Sequence, residues 1–244
     1  MSLFCLSFSP SAPSSVLDIK PAKVAQQLTL LEWERFSKIE PNDIPHNAYN
    51  LHAREPKATA SEIHAVLDMS NKIKDWVIKS VLEEKDATKR ARLIEHFISI
   101  LDECRKQSNI SSMYHLYTGL SSSPIKRLTQ TWALVRHQKQ YTLFACMDWF
   151  RPVLQSDRYE EVHRGLKAPC VPYLGFYLSN IGLRPQKTRC SDDEIVREIR
   201  ALQGGSYKFD NDERIRNFIC GRMTARVRYS EDVKIYMDKS CKLE

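Results

Sequence analysis

Apolar positions recur at three- and four-residue steps along most of this chain, and that spacing predicts helices. The clearest stripe is Ile63, Val66, Leu67, Ser70, Ile73, Trp76, Val77, Ser80 and Val81, about five turns long. After a polar break at 83–88, Leu93, Ile94, Phe97, Ile98, Leu101 and Cys104 form a second stripe, which Asn109 interrupts. Met113, Leu116, Tyr117 and Leu120 mark a third helix, stopped by Ser121-Ser122-Ser123-Pro124. Upstream, Val24, Leu28, Leu31, Trp33 and Phe36 predict a shorter helix ending near Pro41. Residues 42–60 carry two prolines among polar residues and read as a loop.

Beyond the third helix the pattern weakens, and short helices are expected around 125–135, 142–154 and 157–167. The stretch PCVPYLGFYL (169–178) is apolar but broken by prolines and a glycine, which fits a buried crossing segment. Ser191 followed three residues later by Glu194 has the form of a capping box. It opens a helix with Ile195, Val196, Ile199 and Leu202 on one face and Gly204-Gly205 at its end. Two last helices are expected at 211–222 and 230–240. The first residues, MSLFCLSFSPSAPSS, are Ser/Pro-rich with too short an apolar run to span a bilayer, so residues 1–22 are expected to be a disordered leader and 23–244 one all-α domain.

Composition narrows the chemistry. Only seven glycines occur in 244 residues, where a sheet-rich fold would spend more on turns. Seven cysteines are scattered without a C-x-x-C pair, which suggests reduced thiols in a cytoplasmic protein rather than a zinc or redox site. The net charge of +7 comes from basic residues dispersed among acids, so nucleic acid is a weak candidate partner. There is no phosphate-binding G-x-x-x-x-G-K-[ST] loop, no H-E-x-x-H and no G-x-S-x-G, so neither a bound nucleotide, a cofactor, a metal nor covalent catalysis is expected. His96 and His115 sit inside helical patterns and read as packed histidines. No lipidation signal of the Met-Gly or C-a-a-X type is present, so a direct membrane anchor is not expected.

Several blocks resemble, in order, the catalytic domain of Ras-type guanine-nucleotide exchange factors. They are QLTLLEWERFSKIEPNDI (27–44), the long run from LDMSNKIKDW through SSSPIKRLTQTWALV (67–135), APCVPYLGFYLSNI (168–181) and IYMDKSCKLE (235–244). The resemblance implies a single irregular helical domain that promotes GDP release from a Ras-, Rap- or Ral-like GTPase without covalent chemistry. It would bind the switch regions while a helical hairpin wedges one switch away from the nucleotide.

Carried over by position, the resemblance implies GTPase contacts at Arg90, Ser121, Ser123, Lys126, Ser179, Asn180, Gly182 and Gln186. Arg90, in KRARLIEHF, fits a solvated helix cation equally well by residue type. Ser121 stands where an asparagine is usual in the family, and Lys126 where some members carry an aromatic residue. Asn109, Trp132, Pro169 and Tyr173 also match, as packing or turn residues. The wedge departs from the pattern: only IGLRPQKTRC (181–190) lies between Asn180 and Ser191, too few residues for two further helices of three turns. Gly182 replaces an apolar wedge residue, and Gln186 replaces an acidic one. Two readings follow: exchange with a shortened hairpin, or a scaffold that binds a GTPase or another protein without exchange. A basic module for anionic lipid or nucleic acid is the weakest.

Overall fold

The structure, a computed structural model, describes residues 12–48, 61–154, 166–183, 191–223 and 229–244. Twelve α-helices and no β-strand occur among them. They are α1 (Pro21–Phe36), α2 (Asp43–Ala48), α3 (Ser61–Glu83), α4 (Ala87–Lys106), α5 (Ile110–Leu120), α6 (Ser123–Lys126), α7 (Thr129–Leu134), α8 (His137–Leu154), α9 (Leu174–Leu183), α10 (Asp192–Leu202), α11 (Glu213–Arg222) and α12 (Tyr229–Leu243).

The core is made by α1, α3, α4 and α5, with α3 against α5 and α4 against both α1 and α5. The stripes fall where their spacing requires. Ile63, Val66, Ile73, Trp76, Val77 and Val81 of α3 are buried, as are Ile94, Phe97, Ile98, Leu101 and Cys104 of α4. Trp76 and Phe97 meet edge to face at 5.2 Å across this interface, the geometry that ring quadrupoles favour. Gly119 lets α5 approach α3 closely: a Cβ there would lie 2.9 Å from Val77 Cβ and 3.0 Å from the Lys74 carbonyl oxygen. The outer helices then cover this core. α7 and α8 lie on α4, α11 lies on α1, α12 packs on α3 and α6, and both α9 and α10 pack on α2.

Helix ends follow capping chemistry. Pro21 occupies the first turn of α1, Asp86 accepts from Lys89 N at the start of α4, and Asn109 accepts from Ser112 N at the start of α5. The predicted capping box on α10 is present: Glu194 N donates to Ser191 Oγ at 3.2 Å and Ser191 N to Glu194 Oε2 at 2.8 Å.

Three expectations need correction. The ordered domain starts before residue 23: Ser15 caps a 3-10 turn at Val16–Asp18, which buries Val16 and Ile19 in the core. Within the expected loop 42–60, residues 43–48 form α2, since Pro45 lies in the first turn, where a missing N–H is tolerated, and Ile44 is fully buried. The crossing segment is shorter than expected. It ends at Tyr173, one residue before α9 begins, and a parallel bridge ties its Val171 to Asn109. Residues 1–11, 49–60 and most of the expected helix at 157–167 lie outside the described residues.

Candidate functional site

Ser121, Ser123 and Lys126 come together in the turn that ends α5 and forms α6. Gly119 O accepts from Ser122 Oγ at 2.7 Å, and Pro124 sits in the first turn of α6. Ser123 and Lys126 are exposed, whereas Pro124 and Ile125 are buried as the anchor underneath. Trp132 of α7 fixes the far side by donating its indole N–H to Ile125 O at 2.9 Å.

This turn borders two grooves. One, of about 310 Å³, is lined by Leu120, Ser121, Lys126, Trp132, Leu143 and Phe144. The other, of about 240 Å³, runs past Asp75, Ser121, Ser123, Pro124 and Val233. Lys126 makes no ion pair among the described residues, so its charge is available at the lip of the first groove. Phe144 beside it is 64% exposed, and Tyr141 one turn earlier on α8 is 69% exposed. Large aromatic surface left in water next to an unpaired cation is what a protein-binding face presents.

Arg90 sits elsewhere than the resemblance implied. Its side chain is only 2% exposed and enclosed, so it offers nothing to a partner. Nη2 donates to Glu244 Oε1 at 2.9 Å, Nε to Thr131 Oγ1 at 3.0 Å, and Nη1 to the Glu84 and Lys85 carbonyls at 3.2 and 2.7 Å. The α4 stripe places position 90 on the inward edge, and a guanidinium there is tolerated because its donors are matched.

Ser179, Asn180 and Gly182 lie in the C-terminal half of α9, with their side chains outside the described part of the structure. Gln186 lies wholly outside it. The α9 helix runs through Ile181, Gly182 and Leu183, so the stretch expected to connect begins as helix. α9 and α10 are ten and eleven residues long. Gly182 falls one residue from the helix end, where its helix penalty of about 1 kcal/mol is least felt.

The packing residues behave as such. Asn109 is fully buried, donating to Thr29 Oγ1 and Ser112 Oγ at 3.1 and 3.0 Å. Tyr173 stacks obliquely on Tyr114 at 4.1 Å, and the Ala168–Pro169 peptide is cis. Glu32, which its place in LEWERF did not single out, is buried and receives hydrogen bonds from Ser111 Oγ at 2.7 Å and from Ser112 Oγ. Burial pushes its pKa up, against the lowering by those hydroxyls.

Among the described residues the buried thiols and the buried histidine of the core are held unreactive. Burial pushes the Cys170 thiol up to about 12 and raises Cys104 as well, which suppresses thiolate chemistry. His115 is held down at about 3 by burial and then by the charge of Lys74, so it stays neutral. Among the described residues no group of His, Cys, Asp or Glu could hold a metal, and no helix is long and apolar enough to cross a membrane. The arrangement is suited to grip another protein.

A family profile described as "RasGEF domain" matches residues 23–212. The chain belongs to the RasGEF domain family. Ras guanine nucleotide exchange factor Y of Dictyostelium discoideum is 28% identical over 92% of the chain and 16% of its own length. Guanine nucleotide exchange factor SDC25 of Saccharomyces cerevisiae is 34% identical over 70% of the chain and 14% of its own length. Ras-specific guanine nucleotide-releasing factor RalGPS1 of Danio rerio is 30% identical over 77% of the chain and 32% of its own length. The chain therefore spans less than a fifth of the first two relatives. The family assignment extends over all the core helices, and the all-α architecture is the one expected for a RasGEF domain.

Proposed function

We propose that this RasGEF domain accelerates GDP release from a small GTPase of the Ras, Rap or Ral class by binding its switch region. The observation that carries the reading is the turn Ser121–Lys126, with Ser123 and Lys126 exposed on an anchored base between two grooves. Such a surface does mechanical work without any reactive side chain. A GTPase holding nucleotide at picomolar affinity starts about 16 kcal/mol below the separated species. A second protein ligand that binds the empty form more tightly than the loaded form offsets this, because the two ligands weaken each other reciprocally. Rigid contacts serve that purpose best, since little of their binding energy goes into ordering loops.

Within this proposal Ser121, Ser123 and Lys126 touch the GTPase, and Ser179, Asn180, Gly182 and Gln186, on or just after α9 in the sequence, meet it on the nucleotide side. The sequence between Asn180 and Ser191 is short, and a neutral Gln186 would not repel a phosphate. Displacement of the switch by the turn and its grooves therefore carries the larger share of the work. The setting we propose is the cytoplasm, with partner proteins bringing the chain to membrane-bound GTPase. The free thiols of Cys104, Cys146 and Cys170 are in keeping with that compartment.

The test is release of a fluorescent GDP analogue from a panel of Ras-, Rap- and Ral-class GTPases. Saturable acceleration with at least one class at micromolar chain is expected. Binding to the empty GTPase without any acceleration would instead assign the chain a scaffolding role.

A further inference from the structure

Six hydrogen bonds that hold up the GTPase-facing turn and α7 converge on two residues more than a hundred positions away. Ser240 Oγ, fully buried on α12, donates to Pro124 O inside the turn. Arg127, next to Lys126, donates from Nη1 to Ser240 Oγ at 3.3 Å and from Nη2 to the Glu244 carbonyl oxygen at 3.1 Å. The Glu244 carboxylate accepts from the Gln130 and Thr131 amides at 2.8 and 3.0 Å, and from Thr131 Oγ1. These amides belong to the first turn of α7, whose own N-cap residue, Leu128, supplies no side-chain hydrogen bond. Arg90 completes the assembly from α4, holding the same carboxylate oxygen at 2.9 Å.

A six-residue helix cannot sustain itself in water, and one without a local cap still less. The turn 121–128 and α7 therefore keep their shape through bonds supplied by the end of α12. Glu244 serves as the missing cap of α7, with its side chain 4% exposed, so the low local dielectric strengthens each bond to it. Ser240 and the side chains of Arg90 and Glu244 are enclosed, whereas Ser123 and Lys126 stand exposed on the other side of the turn's buried Pro124 and Ile125.

Building on the exchange reading, we propose that Glu244 and Ser240 are positioning residues for GTPase binding: they clamp the Ser121–Lys126 turn from behind and set the geometry at which Lys126 meets its partner. Arg90 acts in the same assembly by orienting the Glu244 carboxylate. Through that carboxylate Arg90 acts on the turn from within the protein.

The experiment is a double-mutant cycle on affinity for a nucleotide-free GTPase of the class that responds in the exchange assay. Glu244→Ala, Glu244→Gln and Ser240→Ala are each made with Lys126 present and in the Lys126→Ala background. Amide hydrogen exchange is followed in all variants. Glu244→Ala should raise Kd about tenfold with Lys126 present and by less than about threefold without it, since residues acting through one another are not additive. Glu244→Gln, which keeps an oxygen for the α7 amides, should recover most of the affinity. Exchange at Gln130 and Thr131 should quicken in Glu244→Ala while α1 amides stay unchanged. Should Glu244→Ala fail to fold, Ser240→Ala carries the same cycle with a smaller effect that again shrinks without Lys126. Equal fold-changes in both backgrounds, or an unchanged Kd, would overturn the clamp. If the wild-type chain binds no empty GTPase, the exchange reading falls by itself. The clamp is then decided by hydrogen exchange, and unaltered exchange at Gln130 and Thr131 in Glu244→Ala refutes it.

Discussion

Replacing Arg90 with alanine removes four hydrogen-bond donors' worth of contact at once, and the structure lets the cost be sized. The guanidinium and the Glu244 carboxylate are 2% and 4% exposed, so removing one partner leaves a desolvated charge. Breaking such a buried pair costs about 3–5 kcal/mol. Here the lower end, about 3 kcal/mol, is expected, because Glu244 keeps the Gln130 and Thr131 amides and the Thr131 hydroxyl. A built-in contrast exists. Arg136 meets Glu95 at 2.8 Å but is 70% exposed, and a surface pair of that kind contributes about 0–1 kcal/mol. Urea unfolding at neutral pH of wild type, Arg90→Ala and Arg136→Ala, with slopes compared, makes the measurement. A loss below about 1 kcal/mol for Arg90→Ala, equal to that of Arg136→Ala at an unchanged slope, would refute the claim that Arg90 is a structural linchpin of α4, α7 and α12.

Two further predictions concern the core. His115 faces the rings of Tyr114 and Tyr173 and feels the charge of Lys74, and its folded pKa of about 3 lies below the unfolded value. Stability is thus full above the unfolded histidine value of about 6.5 and falls as pH drops from there toward about 3, by up to about 1.4 kcal/mol per unit. His115→Leu should flatten the decline between pH 6.5 and 4.5 in urea midpoints; an identical pH profile would contradict it. Gly119→Ala ought to stabilise a helix by propensity, by about 1 kcal/mol. The 3.0 Å approach of its Cβ to the Lys74 carbonyl makes overpacking win, with a net loss of about 1–2 kcal/mol in thermal or urea melts. A stability gain would show that α3 and α5 separate more easily than their packing implies.

The long helices were legible in the sequence because burial there is periodic: α3, α4 and α10 follow stripes that any amphipathic helix must show. α2 was not, since two nearby prolines outweigh a six-residue signal, and only the burial of Ile44 against its neighbours reveals why it forms. The N-terminal boundary was missed for a similar reason, as two apolar residues, Val16 and Ile19, follow a Ser/Pro-rich stretch. At the candidate site, the helix stop at Ser121-Ser122-Ser123-Pro124 was legible in the sequence, and the structure brings Ser121, Ser123 and Lys126 together in that turn. The surroundings of Arg90 were not. KRAR reads as a solvated face, and its ionic partner lies 154 residues further along the chain. Glu32 was opaque likewise, because its hydroxyl partners Ser111 and Ser112 come from another helix. The exposure of Tyr141 and Phe144 follows from how α8 is rolled against α4, which periodicity alone did not fix in that weakly patterned stretch.

The most direct test of exchange by differential binding is to compare the affinity of this chain for one GTPase in its nucleotide-free and GDP-loaded forms. Reciprocity requires that any preference for the empty form reappear as the same factor of weakening in GDP affinity. The account predicts a preference of at least about a hundredfold, equivalent to about 2.7 kcal/mol of coupling. Equal affinity for the two forms would contradict it, however tight the binding.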